Sequence, residues 1–173
     1  GLSTAIEAVG RIDPDYDLEY RIIGDGELRP SLEEQVRRLD LEETVEFLGW
    51  KENSEVMSLL ASSHLFILPS HTASDGDKEG TPTVLLEAQA TGLPIASTYH
   101  AGIPEIVEHR KSGLLCPQFS TDGLEAILRE LLSRDEDWEQ MAQHGRKYVE
   151  DRHGRANVTN ELTTMYRRVT SHG

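Results

Sequence analysis

The sequence predicts an α/β fold in which a parallel β-sheet is covered on both faces by helices. Short apolar segments alternate along the chain with longer segments of helical spacing, in the order β-α-β-α-β-α-β. The apolar segments lack the polar alternation of half-exposed strands, which is typical of parallel strands buried on both faces. The 173 residues fit a single domain, and the 37% hydrophobic content is enough for a buried core.

The first half of the chain contains three predicted strands and three predicted helices. A helix over 3–12, capped by Ser3 or Thr4, opens the sequence and has no strand before it. We therefore expect the sequence to begin inside a longer protein that supplies the first strand. Strands are predicted at 18–24, 44–48 and 64–68, and the remaining helices at 27–39 and 53–62, the latter capped by Asn53 or Ser54.

The second half begins with a polar loop over 70–81 and a helix over 83–91, which Gly92 ends. Strands follow at 93–98 and 113–116, with a short helix at 104–109 between them. Further helices are predicted at 121–133, 136–151 and 155–170. No internal repeat or interdomain linker is visible, so we predict that residues 1–173 form one domain.

Acidic residues dominate the charge, with 31 Asp and Glu against 17 Lys and Arg and a formal net charge of −14. A nucleic-acid-binding protein normally has a basic face, so we expect no nucleic-acid partner. The single cysteine, Cys116, excludes an intrachain disulfide, and its apolar neighbours predict a small buried residue in a strand. No apolar run reaches the roughly 18 residues of a membrane span. These features favour a cytoplasmic protein.

The candidate binding site is centred on Glu87. Between Gly80 and Pro104 it is the only formally charged residue, although 28% of the whole chain is charged. A carboxylate in such an apolar helix costs on the order of several kcal/mol unless hydrogen bonds satisfy it. Two interpretations follow: Glu87 caps or pairs with a group inside the core, or it accepts hydrogen bonds from a ligand such as a diol.

The start of the same helix has the properties of a phosphate site. Proline is favoured at the first helical position, which would place Pro82 there and make Thr81 the cap. The free amides of Thr83 and Val84, together with the helix dipole, then form an anion site. Glu87 lies on the same face as Thr83, about 6 Å further along the helix axis. A ribose attached to a bound phosphate would therefore lie near Glu87.

Further motifs extend this pattern over nearly the whole chain. Glu79 and Glu87 have the spacing E-x7-E, and Ala-Gly-Ile-Pro-Glu-Ile-Val at 101–107 and Ser-Gly-Leu-Leu at 112–115 follow them. Ile-Ile-Gly-Asp-Gly at 22–26 and Val-Glu-Phe-Leu-Gly at 45–49 precede them. Together these motifs closely resemble the donor-binding half of family 4 retaining glycosyltransferases. The stretch 71–77 is most similar to bacterial exopolysaccharide enzymes of the colanic-acid type.

The resemblance implies a GT-B fold, of which this chain would be the Rossmann-like, donor-binding half. Such an enzyme transfers a sugar from a UDP- or GDP-sugar to a glycan or lipid-linked acceptor, with retention of configuration and with no obligatory metal or other cofactor. The acceptor would bind the missing N-terminal domain, and the full-length enzyme is compatible with peripheral membrane association. In the family, the Arg and Lys that neutralise the donor diphosphate flank the strand that would precede Gly1.

The resemblance also implies one catalytic residue, Glu79, which would contact the transferred sugar near the reacting carbon. The other implied residues bind the donor: Gly80, Thr81 and Pro82 at the sugar, Thr83 and Val84 at the diphosphate, Glu87 at the ribose, Trp50 and Lys51 at the nucleobase, and Gly24 where the backbone approaches the cleft. The chain departs from the family in having Ala101-Gly102 where Gly-Gly is frequent.

Several alternatives remain open. Asp75 and Asp77 have the D-x-D spacing of metal-dependent sugar transferases, but the helix start already provides a diphosphate anchor, so we expect no metal there. His100, which precedes Ala101, either lines the cleft or is a solvated loop histidine, and the second interpretation is favoured. Two rival functions are a sugar-nucleotide epimerase of the same architecture and a non-catalytic module that binds a nucleotide sugar or a partner protein.

Overall fold

Parallel strands flanked by helices form the protein, as the sequence predicts. The computed structural model describes residues 1–12, 16–72, 76, 80–154, 157, 159 and 163. Within these residues the strands pair in two sets rather than in one continuous sheet. β1 (Tyr20–Ile23) pairs with β2 (Val45–Gly49), and β3 (Phe66–Leu68), β4 (Ile95–Thr98) and β5 (Gly113–Cys116) pair in that order. All of these pairings are parallel.

Helices connect the strands, and most begin and end within a few residues of the predicted bounds. They are α1 (Leu2–Gly10), α2 (Arg29–Arg38), α3 (Asn53–Ala61), α4 (Thr83–Thr91), α5 (Ile103–Ile106), α6 (Thr121–Leu132) and α7 (Trp138–His153). A short 3-10 turn over Asp135–Asp137 precedes α7, which therefore starts later than predicted. The helix predicted over 155–170 lies mostly outside the described residues.

The β3-β4-β5 sheet is buried on both faces, which explains why its strands are apolar without alternation. Neighbouring residues on β4 and β5 point into different cores: Ala96 and Leu114 pack with α1 and α6, whereas Ile95 and Leu115 pack with α3, α4 and α5. A third cluster joins α1 and α2 to the β1-β2 pair through Ile6 and neighbouring aliphatic residues. The sheet therefore holds α4 rigidly against one face.

α7 reinforces α4 from outside. The Arg146 guanidinium donates to the carbonyls of Ala90 (3.1 Å) and Thr91 (3.0 Å), which are among the last carbonyls of α4. These carbonyls have no partner within their own helix, so the cation satisfies groups that would otherwise need water. Gly92 ends α4 in the left-handed conformation, with φ of 93°, as predicted.

The predicted caps of α1 and α3 are wrong. α1 begins at Leu2, with Gly1 rather than Ser3 or Thr4 at the cap position. α3 begins at Asn53, but Glu52 is its cap: the Glu52 carboxylate accepts from the helix backbone, and the Glu55 carboxylate accepts from the Glu52 amide at 3.1 Å. This reciprocal pair satisfies two free amides at once, which a single Asn or Ser cap does not do.

Among the described residues, none of the helices is both long enough and apolar enough to cross a bilayer.

Candidate functional site

The start of α4 offers two free amides. Pro82 occupies the cap position in an extended conformation (φ −66°, ψ 110°), and its carbonyl accepts from the Leu85 amide at 3.1 Å. The predicted arrangement, with Pro82 as the first helical residue and Thr81 as the cap, is therefore displaced by one residue. The amides of Thr83 and Val84 donate to none of the described residues. Free amides at the positive end of the helix dipole suit an anion.

Glu87 lies one turn further along α4 and is half-buried. Its backbone carbonyl accepts from the Thr91 hydroxyl at 2.9 Å. Its carboxylate makes no hydrogen bond or ion pair within the described part of the chain, so no internal partner for it is present there. A half-buried carboxylate next to two free amides is an arrangement that a polar ligand can satisfy.

The turn after β4 packs against Gly80 and Thr81. The Gly102 amide donates to the Gly80 carbonyl at 3.2 Å. A Cβ added to Gly102 would lie 2.7 Å from the Thr81 hydroxyl oxygen and 3.1 Å from the Gly80 carbonyl oxygen. Glycine at this position therefore allows two backbone segments to touch. Ala101 has φ of 43°, in the left-handed region, which explains why the resembling family often has glycine there.

A second group of predicted residues lies at the carboxyl ends of β1 and β2. Gly24 has φ of 121°, and its amide donates to the Gly49 carbonyl at 2.8 Å. Trp50 follows directly and is 73% exposed. Lys51 forms an ion pair with Glu55 at 3.7 Å. Exposed backbone and an exposed indole are available there for a planar ligand.

α3 connects the residues around Gly24, Trp50 and Lys51 to those at the start of α4. It begins two residues after Lys51 and packs on α4, with Val56 and Met57 against the cluster that contains Leu85 and Ala88. No hydrogen bond or ion pair joins the two groups directly within the described residues.

The loops that follow β3, β4 and β5 are joined through Gln118. Its amide oxygen accepts from the Thr72 amide at 3.0 Å and lies 3.1 Å from His100 Nδ1, and its amide nitrogen donates to the Tyr99 carbonyl at 3.2 Å. The Thr98 hydroxyl donates to the Ser70 carbonyl nearby. Gln118 is not among the site residues predicted from the sequence. The rule that ligands bind at the carboxyl ends of parallel strands, applied to β5 as well as β3, would have directed attention to it.

Glu79, Asp75 and Asp77 lie outside the described residues. Within the residues that the structure does describe, no group of three His, Cys, Asp or Glu side chains is placed to hold a metal ion.

Two further groups, Cys116 and Glu108, have roles in the packing of the fold. Cys116 is buried in β5, as predicted, and burial raises the pKa of its thiol to about 11. Near the amino end of β5, a hydrogen bond from His144, reinforced by Lys111, lowers the pKa of Glu108. The His144–Glu108 contact joins α7 to the segment before β5, at the end of the strand opposite Gln118.

A family model for glycosyl transferases group 1 matches residues 1–148. The chain belongs to the group 1 glycosyl transferases. It is 43% identical over 138 residues to the amylovoran biosynthesis glycosyltransferase AmsK of Erwinia amylovora, and this match covers 79% of the chain and 34% of AmsK. It is 36% identical over 167 residues to the putative colanic acid biosynthesis glycosyltransferase WcaL of Escherichia coli K12, covering 95% of the chain and 41% of WcaL. The chain thus spans between a third and a half of these relatives.

Solved structures with the same fold include the sucrose-phosphate synthase of Thermosynechococcus elongatus. The TM-score is 0.85 at 19% identity, over 100% of this chain and 43% of the synthase. The Anabaena protein HepE, solved in complex with UDP and glucose, matches with a TM-score of 0.84 at 22% identity, over 95% of this chain and 44% of HepE. The predicted α/β fold, one half of a GT-B glycosyltransferase, is confirmed, as is the resemblance to exopolysaccharide enzymes of the colanic-acid type.

Proposed function

We propose that the chain is the donor-binding half of an enzyme that transfers a sugar from a nucleotide sugar to a glycan or lipid-linked acceptor, with retention of configuration. The observation that supports this most directly is the pairing of two free amides at the start of α4 with a half-buried carboxylate one turn later. Free amides at a helix start suit a diphosphate, and a carboxylate suits the two hydroxyl donors of a ribose diol.

The diphosphate contacts the amides of Thr83 and Val84. Aligned peptide dipoles place about half a positive charge at a helix start, and charge-assisted bonds from free amides add to it. The ribose hydroxyls then donate to Glu87, which lies about 6 Å along the axis on the same face. The nucleobase lies beside Trp50 and Lys51, near the open backbone at Gly24.

The transferred sugar projects from the diphosphate toward Gly80, Thr81 and Pro82, which directly precede α4. Glu79 is the residue before Gly80 in the sequence, and we propose that its carboxylate stabilises positive charge that develops at the anomeric carbon. Helix amides and basic residues take the place of a metal ion at the diphosphate, so the reaction requires no metal or other cofactor.

The relatives support nucleotide sugars as donors. HepE has been solved with UDP-glucose, and a Corynebacterium glutamicum relative with 35% identity is named as a GDP-mannose-dependent mannosyltransferase. We propose that the acceptor binds a second domain, as in other GT-B enzymes, and that the enzyme works in the cytoplasm with peripheral association to membranes. The buried, single Cys116 is compatible with a reducing compartment.

A thermal-shift panel of UDP-, GDP- and ADP-sugars on the full-length enzyme tests the proposal. One donor class should raise the melting temperature, because a ligand at 100 times its Kd stabilises the folded state by about 2.7 kcal/mol. Glu87→Ala, measured in parallel, should respond weakly to the same donor. If none of the nucleotide sugars stabilises the wild-type enzyme, the donor-binding assignment is wrong.

A product assay then separates transfer from its rivals. Incubation of the stabilising donor with acceptor glycan should release free nucleoside diphosphate and lengthen the glycan. An isomerised nucleotide sugar would instead indicate an epimerase. Binding without any turnover in the full-length protein would indicate a non-catalytic module. The anomeric configuration of the new linkage, read by NMR, tests retention.

A further inference from the structure

Gln118 links three loops at the carboxyl edge of the β3-β4-β5 sheet. Its amide oxygen accepts from the Thr72 amide, which follows β3, and its amide nitrogen donates to the Tyr99 carbonyl, which follows β4. Gln118 itself follows β5. These contacts join residues 46 and 19 positions apart in the sequence. His100 Nδ1 is the fourth group in this cluster, 3.1 Å from the same amide oxygen.

The hydrogen bonds around Gln118 determine which ring nitrogen of His100 carries a proton. The Thr72 amide can only donate and the Tyr99 carbonyl can only accept, so the oxygen of Gln118 must face Thr72 and the nitrogen must face Tyr99. His100 Nδ1 faces that oxygen and must therefore donate a proton to it. In the neutral ring, Nε2 is then a bare acceptor. His100 is only 1% exposed, and its Nε2 has no partner among the residues that the structure describes. Within these residues, the bond from Nδ1 to Gln118 is therefore the one hydrogen bond that the imidazole ring makes.

The backbone that follows His100 leads directly to the proposed sugar site. The His100 carbonyl accepts from the Ile103 amide at 3.0 Å, which closes the turn over 100–103. Gly102, in the middle of this turn, donates to Gly80 and touches Thr81. A displacement of His100 would therefore move the turn over 100–103, against which Gly80 and Thr81 pack. α4 itself is held separately, by the sheet and by Arg146.

We propose that His100 is a positioning residue for the sugar end of the donor site, acting through its Nδ1–H bond to Gln118. The pair fixes the turn over 100–103 and so sets where Gly80 and Thr81 lie relative to the free amides of α4. This proposal rests on the proposed function, because it assigns His100 an effect on transfer. Nothing in it requires His100 to touch the substrate.

Two conservative variants separate the ring nitrogens. The side-chain amide of asparagine can place a donor where Nδ1 lies, whereas that of glutamine reaches the position of Nε2. In the full-length enzyme, His100→Gln should lower kcat by about 10-fold or more, since a displacement of 1 Å at a reacting group can cost about 10²-fold. His100→Asn should restore most of the wild-type kcat. Nucleoside diphosphate affinity should stay within about twofold in both variants, because α4 and Glu87 are held independently.

Gln118→Leu provides the partner side of the test. It should lower kcat at least as much as His100→Gln, because it also removes the bonds to Thr72 and Tyr99. The double variant with His100→Gln should be no slower than Gln118→Leu alone, because the shared contact cannot be lost twice. A purely structural role would instead lower the melting temperature while leaving kcat per folded molecule unchanged. Equal kcat in the Asn and Gln variants, or additive losses in the double variant, would overturn the proposal.

Hydrogen exchange at the Thr72 amide gives a readout that needs no turnover. In ligand-free enzyme, His100→Gln should accelerate exchange at Thr72 relative to amides inside α4, and His100→Asn should not. Unchanged exchange in the Gln variant would overturn the positioning role. If wild-type enzyme transfers no sugar while exchange responds as expected, the proposed function is wrong and the structural link from His100 to Thr72 is retained.

Discussion

Removing the Glu87 carboxylate should move ligand affinity and folding stability in opposite directions. The carboxylate is half-buried and makes no hydrogen bond or ion pair within the described residues. Glu87→Ala therefore removes no hydrogen bond or ion pair there, and it places the best helix-forming residue inside α4, a gain of up to about 0.5 kcal/mol. The melting temperature should be unchanged or slightly higher.

Ligand affinity should fall at the same time. A charged acceptor that binds ribose hydroxyls contributes about 1.5–3 kcal/mol, which corresponds to a loss of roughly 10- to 150-fold in affinity for the nucleoside diphosphate. Glu87→Gln retains one acceptor oxygen but loses the charge, so its loss should be intermediate. The matched control is Glu136→Ala, which removes an exposed carboxylate in the turn before α7 and should change neither quantity.

Calorimetry on the full-length enzyme, with the nucleoside diphosphate of the donor that the thermal-shift panel identifies, measures the affinity. Chemical denaturation of the same preparations measures stability. Unchanged affinity together with a lower free energy of unfolding would refute the reasoning, because it would show that Glu87 is satisfied inside the protein rather than by a ligand.

Four other measurements test the catalytic residue, the metal, the sheet and the response to acid. Glu79→Gln should lower kcat about 10²-fold, roughly 2.7 kcal/mol, and leave nucleoside diphosphate affinity nearly unchanged. The reason is that charge at the anomeric carbon develops in the transition state. A near-normal kcat would exclude Glu79 from the mechanism. Activity should survive EDTA, and complete loss rescued by Mn²⁺ would contradict this expectation. Gly113→Ala should cost more than about 3 kcal/mol of stability, because its Cβ would lie 2.3 Å from a carbonyl oxygen of β4, whereas Gly26→Ala meets nothing within 4 Å and serves as the control. Burial, and to a smaller extent a neighbouring arginine, lowers the pKa of His109 below its ordinary 6.5. The contribution of neutral His109 to folding stability should therefore be fully present above pH 6.5 and be lost as the pH falls below it. His109→Asn should lessen this loss in denaturation measured as a function of pH.

Strands and helices could be predicted from the sequence because each one has a strong local pattern. Gly113–Cys116 and Thr83–Thr91 match their predicted bounds, since a buried strand and a glycine-ended helix both have sharp limits. Helix starts were harder to predict. Both Asn53 and Thr81 looked like caps, yet Glu52 and Pro82 occupy the cap positions. Propensity ranks single residues, whereas a reciprocal pair such as Glu52 with Glu55 depends on the backbone geometry of the whole turn.

In the candidate site, too, the features set by one local segment could be predicted from the sequence, and those that depend on contacts between segments could not. The free amides and Glu87 lie on one continuous segment, so helical geometry alone was enough to place them together. The contacts of Gln118 depend on how three loops meet after the sheet has formed, and no local pattern encodes such meetings. His100 illustrates the limit: the favoured prediction of a solvated loop histidine is wrong, because the side chain is only 1% exposed. Its distance to Gln118 identifies which ring nitrogen is protonated.

The net charge of this chain is unfavourable for an anionic ligand at the start of α4. A nucleoside diphosphate is strongly anionic, and the start of α4 supplies only about half a positive charge. The stretch 80–104 contains no lysine or arginine, and the whole chain has a formal net charge of −14. The net charge of this chain therefore adds no attraction for an anionic donor beyond that of the helix start. The resemblance to family 4 glycosyltransferases implies Arg and Lys residues that neutralise the diphosphate, and the stretch 80–104 does not contain them. We propose that α4 fixes the orientation of the diphosphate, while such cations supply most of the electrostatic attraction.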